Sequence, residues 1–293
     1  MPALSDLLGL CKLKVVALIL LTAVVGMLLS VPYIPDYALV LNASIGIGLA
    51  SASAAVFNHI VDEKIDLQMS RTDQRPLPQQ KVSRNQALVW GLFLGIVGLS
   101  ILYFLVNTIT TVLTFISLIG YAVVYTMYLK RATPQNIVIG GAAGAAPPVL
   151  GWAAITGDVH AHALLLFLIV FVWTPPHFWA LAIYRYEEYK KVDVPMLPVT
   201  HGIPYTRVQI LLYTVLLLLV TLLPYLTGMS GAIYLISAVV LGVIFLIYAI
   251  KIYTRPDDPK IAFATFLYSV NYLMLLFIAL LIDHYLLLPL GGF

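Results

Sequence analysis

The sequence predicts an all-α polytopic membrane protein of about nine transmembrane helices. Of the 293 residues, 61% are hydrophobic and only 10% are charged, which gives more apolar surface than one globular core of this size needs. Lipid must therefore cover the excess. The apolar residues form runs without Asp, Glu, Lys or Arg, each close to the ~20 residues that cross ~30 Å of hydrocarbon. Leu-rich runs of this length suit helices and not barrel strands.

The predicted spans follow one another along the whole chain, so we expect a single integral membrane domain over residues 1–293. Lys12 and Lys14 precede the first run as they would in a signal peptide. Eight further runs, and the lack of a small-x-small cleavage site, favour an uncleaved first helix. The nine runs cover residues 15–34, 37–61, 86–106, 109–129, 137–156, 163–184, 208–226, 232–250 and 261–281.

The basic residues predict the orientation of these spans. All 16 Lys and Arg fall in the amino-terminal segment and in the loops on its side, whereas the other side holds only Asp36, Asp158 and Asp283. Because basic loops stay inside, we expect a cell-membrane protein with a cytoplasmic amino terminus and an external carboxyl terminus. No basic run suggests a nucleic-acid partner.

The second span ends in a regularly spaced polar motif. Asn58, Asp62 and Asp66 are four residues apart, so on a continuing helix they project from one face as a ladder of oxygen ligands. Such hard ligands suit Mg²⁺, whose octahedral shell is completed by water and phosphate oxygens. Arg71 and Arg75 follow, and a guanidinium matches phosphate geometry. The alternative is a solvated loop in which the acids pair with nearby basic residues.

The sixth span contains paired prolines followed by a histidine. We expect Pro175 and Pro176 to break the helix, which is tolerated only where protein or a cavity satisfies the freed carbonyls. His177 is then directed at an interior site, and an ionisable residue at that depth suggests function. The alternative is a histidine bonded to one of those carbonyls.

The sixth span crosses in the same direction as the second, so its charged end reaches the same surface. Tyr184, Arg185, Glu187 and Glu188 lie there, and the two motifs can face one another across a bundle. In the fifth span, residues 140–148 are nearly without side chains. That stretch indicates close helix packing or room for a flat ligand.

Together these segments resemble the intramembrane aromatic-prenyltransferase (UbiA) superfamily, and within it the branch that farnesylates haem. Asn58, Asp62 and Asp66 match its first motif, Asn-x-x-x-Asp-x-x-x-Asp. The acidic end of the sixth span departs from the second aspartate ladder of many members, which ranks Glu187 and Glu188 below Asp62 and Asp66. The resemblance covers nearly the whole chain and rests also on residues 71–77, 136–152, 173–183 and 195–198.

The resemblance implies nine helices around a central cavity open to the cytoplasmic side, with farnesyl diphosphate and haem b as substrates. It implies Mg²⁺ as the cofactor, and a haem-copper oxidase assembly or haem A synthase as a partner. Among the candidate residues, Lys130 is expected to act as a membrane-surface anchor. The expected catalytic residues are Asn58, Asp62, Asp66, Arg71, Arg75, Tyr184 and Glu188, with Asn58, Asp62 and Asp66 on the metal; His177, His59, Arg185, Arg131 and Glu187 are expected to bind haem.

Two other functions remain open at this point. One is a quinone or other aromatic-acceptor polyprenyltransferase, which uses the same ladder with a different acceptor. The other is a haem transporter or haem-binding membrane protein, for which proline-broken spans and a buried histidine are typical. Transport alone does not require a ladder for a metal diphosphate at one face.

Overall fold

The computed structural model describes residues 2–69, 72–255 and 258–287, and this part of the chain is helical with no β-strand. The first half contains α1 (Leu4–Leu10), α2 (Leu13–Leu29), α3 (Tyr37–Asp66), α4 (Arg84–Leu105), α5 (Thr108–Ile119), a π-helix (Gly120–Leu129) and α6 (Lys130–Ala132). The second half contains α7 (Asn136–Ala145), α8 (Pro147–Thr156), α9 (Ala161–Tyr184), α10 (Tyr186–Lys191), α11 (Leu197–His201), α12 (Ile203–Val220), α13 (Leu223–Leu226), α14 (Ala232–Thr254) and α15 (Pro259–Leu287).

The predicted all-α membrane class is confirmed. Among the described residues, 8 helical segments are long and apolar enough to cross a membrane, and the bent pair α1 and α2 raises the count to 9 if taken as one span. The two helices of that pair meet at 56°. The chain is therefore a multi-pass membrane protein.

Polar side chains at the loop ends explain where several spans begin. Asp36 accepts the amide N–H of Leu39 at the start of α3, and Asn107 accepts that of Thr110 at the start of α5. Ser83 and Gln86 form a capping box at the start of α4. Each cap satisfies a donor that the first helical turn leaves without an intrahelical acceptor.

The prolines act differently from our expectation, which was wrong for the sixth span. Pro175 and Pro176 lie inside an unbroken α9, where the Thr174 hydroxyl donates to the Val170 carbonyl at 2.8 Å. The interruption falls instead in the fifth span, where Pro147 and Pro148 begin α8. Proline is tolerated in the first helical turn because the missing N–H has no partner there in any case.

Glycines bring α2 and α8 into backbone contact. A Cβ on Gly26 would lie 2.2 Å from the Pro148 carbonyl oxygen, and one on Gly151 would lie 1.9 Å from that of Ala23. No other residue permits this approach. Gly151 lies three residues beyond the predicted small-residue stretch 140–148. Within that stretch, close packing applies at Gly140, where a Cβ would lie 2.1 Å from the Tyr125 ring.

The helix ends form two distinct polar regions. At the basic end, Ile65 of α3 and Tyr189 of α10 pack against one buried apolar cluster that contains Ile137 and Ile183. At the opposite end, the two carboxylate oxygens of Asp283 on α15 accept the amide N–H groups of Gly231 and Tyr234. The motifs of the second and sixth spans thus reach the same end of the bundle, as expected.

Candidate active site

The predicted oxygen ladder is formed by the last turns of α3 and faces the protein interior. All three residues are buried: the exposed fraction is 4% for Asn58, 3% for Asp62 and 4% for Asp66. The Asn58 amide donates to Asp62 Oδ2 at 2.9 Å, which links two steps of the ladder. A lipid-facing or solvent-facing ladder would have none of this burial, so the solvated-loop alternative does not hold.

Three cationic side chains surround the ladder. Arg75 Nη1 donates to Asp66 Oδ2 at 2.7 Å, and Lys130 Nζ donates to Asp62 Oδ2 at 2.5 Å. Lys12 Nζ donates to Asn58 Oδ1. Our expectation that Lys130 serves as a surface anchor was wrong, because its ammonium group lies in the site beside a buried carboxylate.

Two irregular parts of the backbone, at Lys12 and in the π-helix before Lys130, position side chains that contact the ladder. Lys12 adopts a left-handed conformation, with φ 51° and ψ 51°, at the bend between α1 and α2. A non-glycine residue pays a steric cost there, of the order of 1–2 kcal/mol. The π-helix carries Thr126, whose hydroxyl accepts from Asn58 at 3.3 Å, and leads directly into Lys130. π-Helical turns are frequent at functional sites.

The site contains more basic side chains than carboxylates. Three basic side chains, those of Lys12, Arg75 and Lys130, contact a ladder that has only two carboxylates, those of Asp62 and Asp66. Burial makes such an imbalance costly unless an anion completes it. The site therefore favours an anionic group that touches all three cations.

The donor set also suits a divalent cation that arrives with that anion. Asp62 Oδ1 is buried and has no hydrogen-bond partner, so one carboxylate oxygen is free to act as a ligand. Among the described residues, no three His, Cys, Asp or Glu side chains converge on a metal position. A metal ion at the ladder would need ligands from water or phosphate, which is the coordination that Mg²⁺ prefers.

His59 lies beside the three cationic side chains of the ladder, Lys12, Arg75 and Lys130. Its side chain is buried, and neither ring nitrogen has a hydrogen-bond partner. Buried polar groups normally have partners, so this histidine is a polar group that a ligand can satisfy.

His177 occupies a pocket of rings in the second half of the chain. Its imidazole stacks on Trp173 at 4.2 Å and on Phe266 at 4.7 Å, and Nδ1 lies 2.6 Å from the Ser269 hydroxyl oxygen. Ser269 donates its only hydroxyl proton to the Phe266 carbonyl at 2.6 Å. His177 Nδ1 must therefore donate to Ser269, which leaves Nε2 with its lone pair.

The charged end of α9 forms a separate group. Arg185 pairs with Glu188 and lies 5.1 Å from the centre of the Tyr184 ring, which stacks on Phe263 at 4.7 Å. Glu187 is exposed on α10. In the part of the chain that the structure describes, no hydrogen bond or ion pair joins this group to the ladder, although the ends of α3 and α9 both contact the apolar cluster that contains Ile183.

Arg131 and Arg71 are the two remaining predicted site residues. Arg131 Nη2 donates to the Val61 carbonyl at 3.1 Å, at the exposed rim of the ladder. Arg71 lies outside the described residues. Lys12 and Thr126 were not predicted as site residues, and Lys130 was predicted as an anchor, because their contacts with α3 span 46 to 68 residues of chain.

The fold and the ladder together are those of a membrane-embedded prenyltransferase, and the chain belongs to the UbiA prenyltransferase family, whose model matches residues 19–288. Solved structures support the fold. A digeranylgeranylglyceryl phosphate synthase superposes with a TM-score of 0.80 at 22% identity, over 96% of this chain and 98% of its own. A UbiA homologue from Archaeoglobus fulgidus bound to GPP and Mg²⁺ superposes with a TM-score of 0.71 at 17% identity, over 94% and 99%.

Sequence relatives narrow the family to one group of enzymes. The protohaem IX farnesyltransferase of Ruthia magnifica subsp. Calyptogena magnifica is 74% identical to this chain, over 100% of this chain and 99% of its own length. The matched region covers the whole chain and so includes both the ladder and α9. The chain is thus similar in full to a protohaem IX farnesyltransferase.

Proposed function

We propose that this protein transfers the farnesyl group of farnesyl diphosphate to a vinyl group of protohaem IX, giving haem O and diphosphate. The main support is the buried ladder of Asn58, Asp62 and Asp66 beside three cationic side chains. The 74% identity to a protohaem IX farnesyltransferase supports haem as the acceptor. The acceptor distinguishes this function from that of a quinone prenyltransferase.

Lys12, Arg75 and Lys130 bind the diphosphate in this proposal. Their charges lie within one buried site and stabilise the negative charge that accumulates on the leaving group, in surroundings where water screens little. Because they are already in place around the ladder, little reorganisation is needed as the charge develops. Arg75 adds a planar guanidinium that can hold two phosphate oxygens at once.

Asp62 and Asp66, with Asn58, would hold Mg²⁺, which when bound supplies Lewis-acid neutralisation of the diphosphate. The unpartnered Oδ1 of Asp62 supports this role. The Mg²⁺ that accompanies GPP in the Archaeoglobus homologue supports the same cofactor. Asn58 also orients Asp62 through their direct hydrogen bond, so it fixes which carboxylate oxygen remains available.

The reaction breaks the C1–O bond of farnesyl diphosphate and the π bond of the vinyl group, and it forms one C–C bond and, with water, one C–O bond. The C1–O bond of farnesyl diphosphate breaks and its electron pair leaves with the diphosphate, while the vinyl π electrons form a new bond to C1. Water then adds to the resulting porphyrin-side carbocation and loses a proton. Tyr121 and Tyr125, stacked at 5.5 Å on the π-helix beside the ladder, are suited to stabilising the allylic cation and to keeping water away from it.

His177 binds the haem in this proposal. Its Nε2 lone pair is available for iron, because Ser269 holds the proton on Nδ1. Trp173 and Phe266 cover the two faces of the imidazole, so the ring presents only its edge. The basic end, which carries the ladder, faces the cytoplasm by the positive-inside rule.

The decisive experiment replaces Asp62 by Asn, which keeps the size of the side chain and removes its charge. We expect farnesyl transfer to fall by at least ~100-fold, the loss typical of removing an electrostatic transition-state contact. The assay is mass analysis of extracted porphyrin for the gain of one farnesyl unit plus water.

Glu63→Gln is the matched control. Glu63 is adjacent to Asp62 but lies off the ladder, with its nearest ion-pair partner Arg84 at 3.9 Å. We expect this variant to keep normal turnover. Wild-type turnover by Asp62→Asn, in protein whose thermal unfolding is unchanged, would refute the role of the ladder.

A further inference from the structure

A pocket of about 380 Å³ opens at the end of the bundle opposite the ladder. It is formed where α2, α8, α9 and α15 end or begin, together with the loop before α14. Three of the six histidines of the chain line it. The side chains that the argument uses are those of Trp152, Asp158, His160, His162, Met229 and His284.

Three rings form one wall of this histidine pocket. Trp152 and His160 stack almost in parallel, 5.6 Å apart with 6° between their planes. The His162 ring lies nearly perpendicular to both, at 72° to His160 and 75° to Trp152, with centroid distances of 4.9 Å and 6.3 Å. Trp152 is buried and anchors the wall, because its own contacts lie within the helical core.

The hydrogen bonds decide which imidazole can act as a ligand. His160 Nδ1 accepts the amide N–H of His162, so in the neutral ring its proton sits on Nε2. His284 Nε2 lies 3.0 Å from the Val31 carbonyl oxygen and so donates to it. Within residues 2–69, 72–255 and 258–287, neither ring nitrogen of His162 takes part in a hydrogen bond, which leaves its lone pair available.

The size and chemistry of the pocket favour a metal bound in a large flat ligand over a bare ion. A free transition-metal ion needs three or more protein ligands, and no such group of His, Cys, Asp or Glu converges among the described residues. Haem iron brings four ligands of its own and needs one imidazole with an apolar, ring-lined wall. Met229 and Leu29 add apolar surface on the lining.

The charges set the direction in which such a ligand would lie. No Lys or Arg is among the residues that line the pocket, whereas the Asp158 carboxylate is, with Oδ1 accepting the Val159 amide at 2.7 Å. Haem propionates would be repelled by that carboxylate. They would therefore extend into water while the apolar edge of the porphyrin enters the pocket.

We propose that the histidine pocket is a second haem-binding site, in which His162 ligates the iron and the stacked Trp152 and His160 rings form one wall. The choice of haem as the ligand rests on the proposed function, in which haem is a substrate. The site lies across the bundle from the ladder and does not take part in farnesyl transfer. It would hold haem or its farnesylated product at the other membrane surface.

The test is a titration of the purified full chain in lipid nanodiscs with ferric haem, followed by absorbance in the Soret region. The wild type is expected to bind two equivalents, one dependent on His177 and one on His162. His162→Ala is expected to bind one equivalent, and free imidazole added to it should restore the second. His177→Ala is expected to retain the equivalent that depends on His162.

His201→Ala is the matched control, since this exposed histidine lies at the basic end and stacks on Tyr205. It should keep both equivalents. His162→Gln serves as the second variant if the alanine variant unfolds. A wild type that farnesylates haem but binds a single equivalent, lost in His177→Ala, would overturn the second site and leave the proposed function intact.

Two further outcomes separate the hypotheses. Zn²⁺ binding that is lost in His162→Gln, without a second haem equivalent, would overturn haem as the ligand of the pocket. A folded wild type that neither binds nor farnesylates haem would overturn the proposed function itself, and with it the choice of haem as the ligand of the second site.

Discussion

Asp62 is the residue on which the contacts of the ladder converge. Its Oδ2 accepts from both Asn58 and Lys130, at 2.9 and 2.5 Å, while its Oδ1 has no partner. One oxygen is thus held by the protein and the other is available to a ligand. A buried carboxylate in this state depends on Lys130, because an uncompensated buried charge is strongly destabilising.

Replacing Lys130 by Met tests that dependence. We expect farnesyl transfer to fall by about 10- to 100-fold, because a charge-assisted contact to the diphosphate is lost. Melting temperature should also fall, since Asp62 loses its partner. Steady-state kinetics and a thermal melt of the purified protein measure the two effects.

Two comparisons make the Lys130 result specific. Lys130→Arg keeps the charge and should recover part of the activity. Lys191→Met removes an exposed lysine at the same end of the bundle and should behave as the wild type. Equal loss in Lys130→Met and Lys191→Met would indicate a general effect of surface charge and would contradict the assigned contact.

The sequence predicted the ladder and Arg75 but not the contacts of the two lysines, Lys12 and Lys130. Asn58, Asp62 and Asp66 are related by the helical repeat, which is a local property that the sequence displays directly. Lys12 and Lys130 reach the same atoms only through tertiary packing, and in sequence they resemble ordinary basic residues beside a span. Arg75 was predicted because it follows the ladder closely, within one loop.

Among the elements, the closely packed pair α2 and α8 has the tightest steric requirement. Lys12 immediately precedes α2, so the position of this helix also determines where the Lys12 ammonium group lies. Gly151 and Gly26 allow the two backbones to approach. The fit of these helices is therefore coupled to the geometry of the ladder.

Gly151→Ala should separate α2 from α8. The added Cβ would lie 1.9 Å from the Ala23 carbonyl oxygen, which belongs to the backbone and cannot rotate away. We expect a loss of ~1–3 kcal/mol in stability, as in other overpacked cores, and a lower rate of farnesyl transfer. Thermal unfolding in detergent measures the first effect, and porphyrin mass analysis measures the second.

Gly144→Ala is the control for that prediction. Gly144 lies in the neighbouring helix α7, and a Cβ there would meet nothing within 4 Å. Because alanine favours helix over glycine, we expect this variant to be at least as stable as the wild type. Equal destabilisation by both substitutions would contradict the steric explanation.

The helices were predictable in number and type but not in their irregularities. Hydropathy defined each span, yet it did not distinguish Pro175 and Pro176, which α9 accommodates, from Pro147 and Pro148, at which the fifth span breaks. Pro175 and Pro176 remove the N–H donors of the Phe171 and Val172 carbonyls, yet α9 continues through both positions, so the tertiary surroundings and not the proline pair itself decide whether the span breaks. The π-helix at Gly120–Leu129 likewise has no signature in an apolar run.

On the scale of the whole molecule, the two ends differ in charge and in chemistry. The basic end carries the ladder with its lysines and arginines, and the opposite end carries Asp283, Asp158 and the histidine pocket. This asymmetry follows directly from the sequence, because it depends only on which loops contain Lys and Arg. It predicts that farnesyl diphosphate binds near the cytoplasmic surface and that a ligand of the histidine pocket binds near the opposite surface.

Cysteine labelling in intact cells tests the orientation. Gln135→Cys places a thiol at the basic end and Val159→Cys places one at the opposite end, in a background where the buried Cys11 is replaced by Ser. A membrane-impermeant maleimide should label the thiol at position 159 and not the thiol at position 135 until the cells are opened. Labelling at position 135 and not at position 159 would contradict the predicted orientation.

Among the described residues, the polar side-chain contacts of the ladder come from residues 12–130, whereas the ring and hydroxyl contacts of His177 come from residues 173–269. On the proposed roles, the diphosphate and the acceptor are therefore contacted by separate stretches of the sequence. Substitutions confined to the second stretch can then change which acceptor is bound while the side chains that hold the diphosphate are kept.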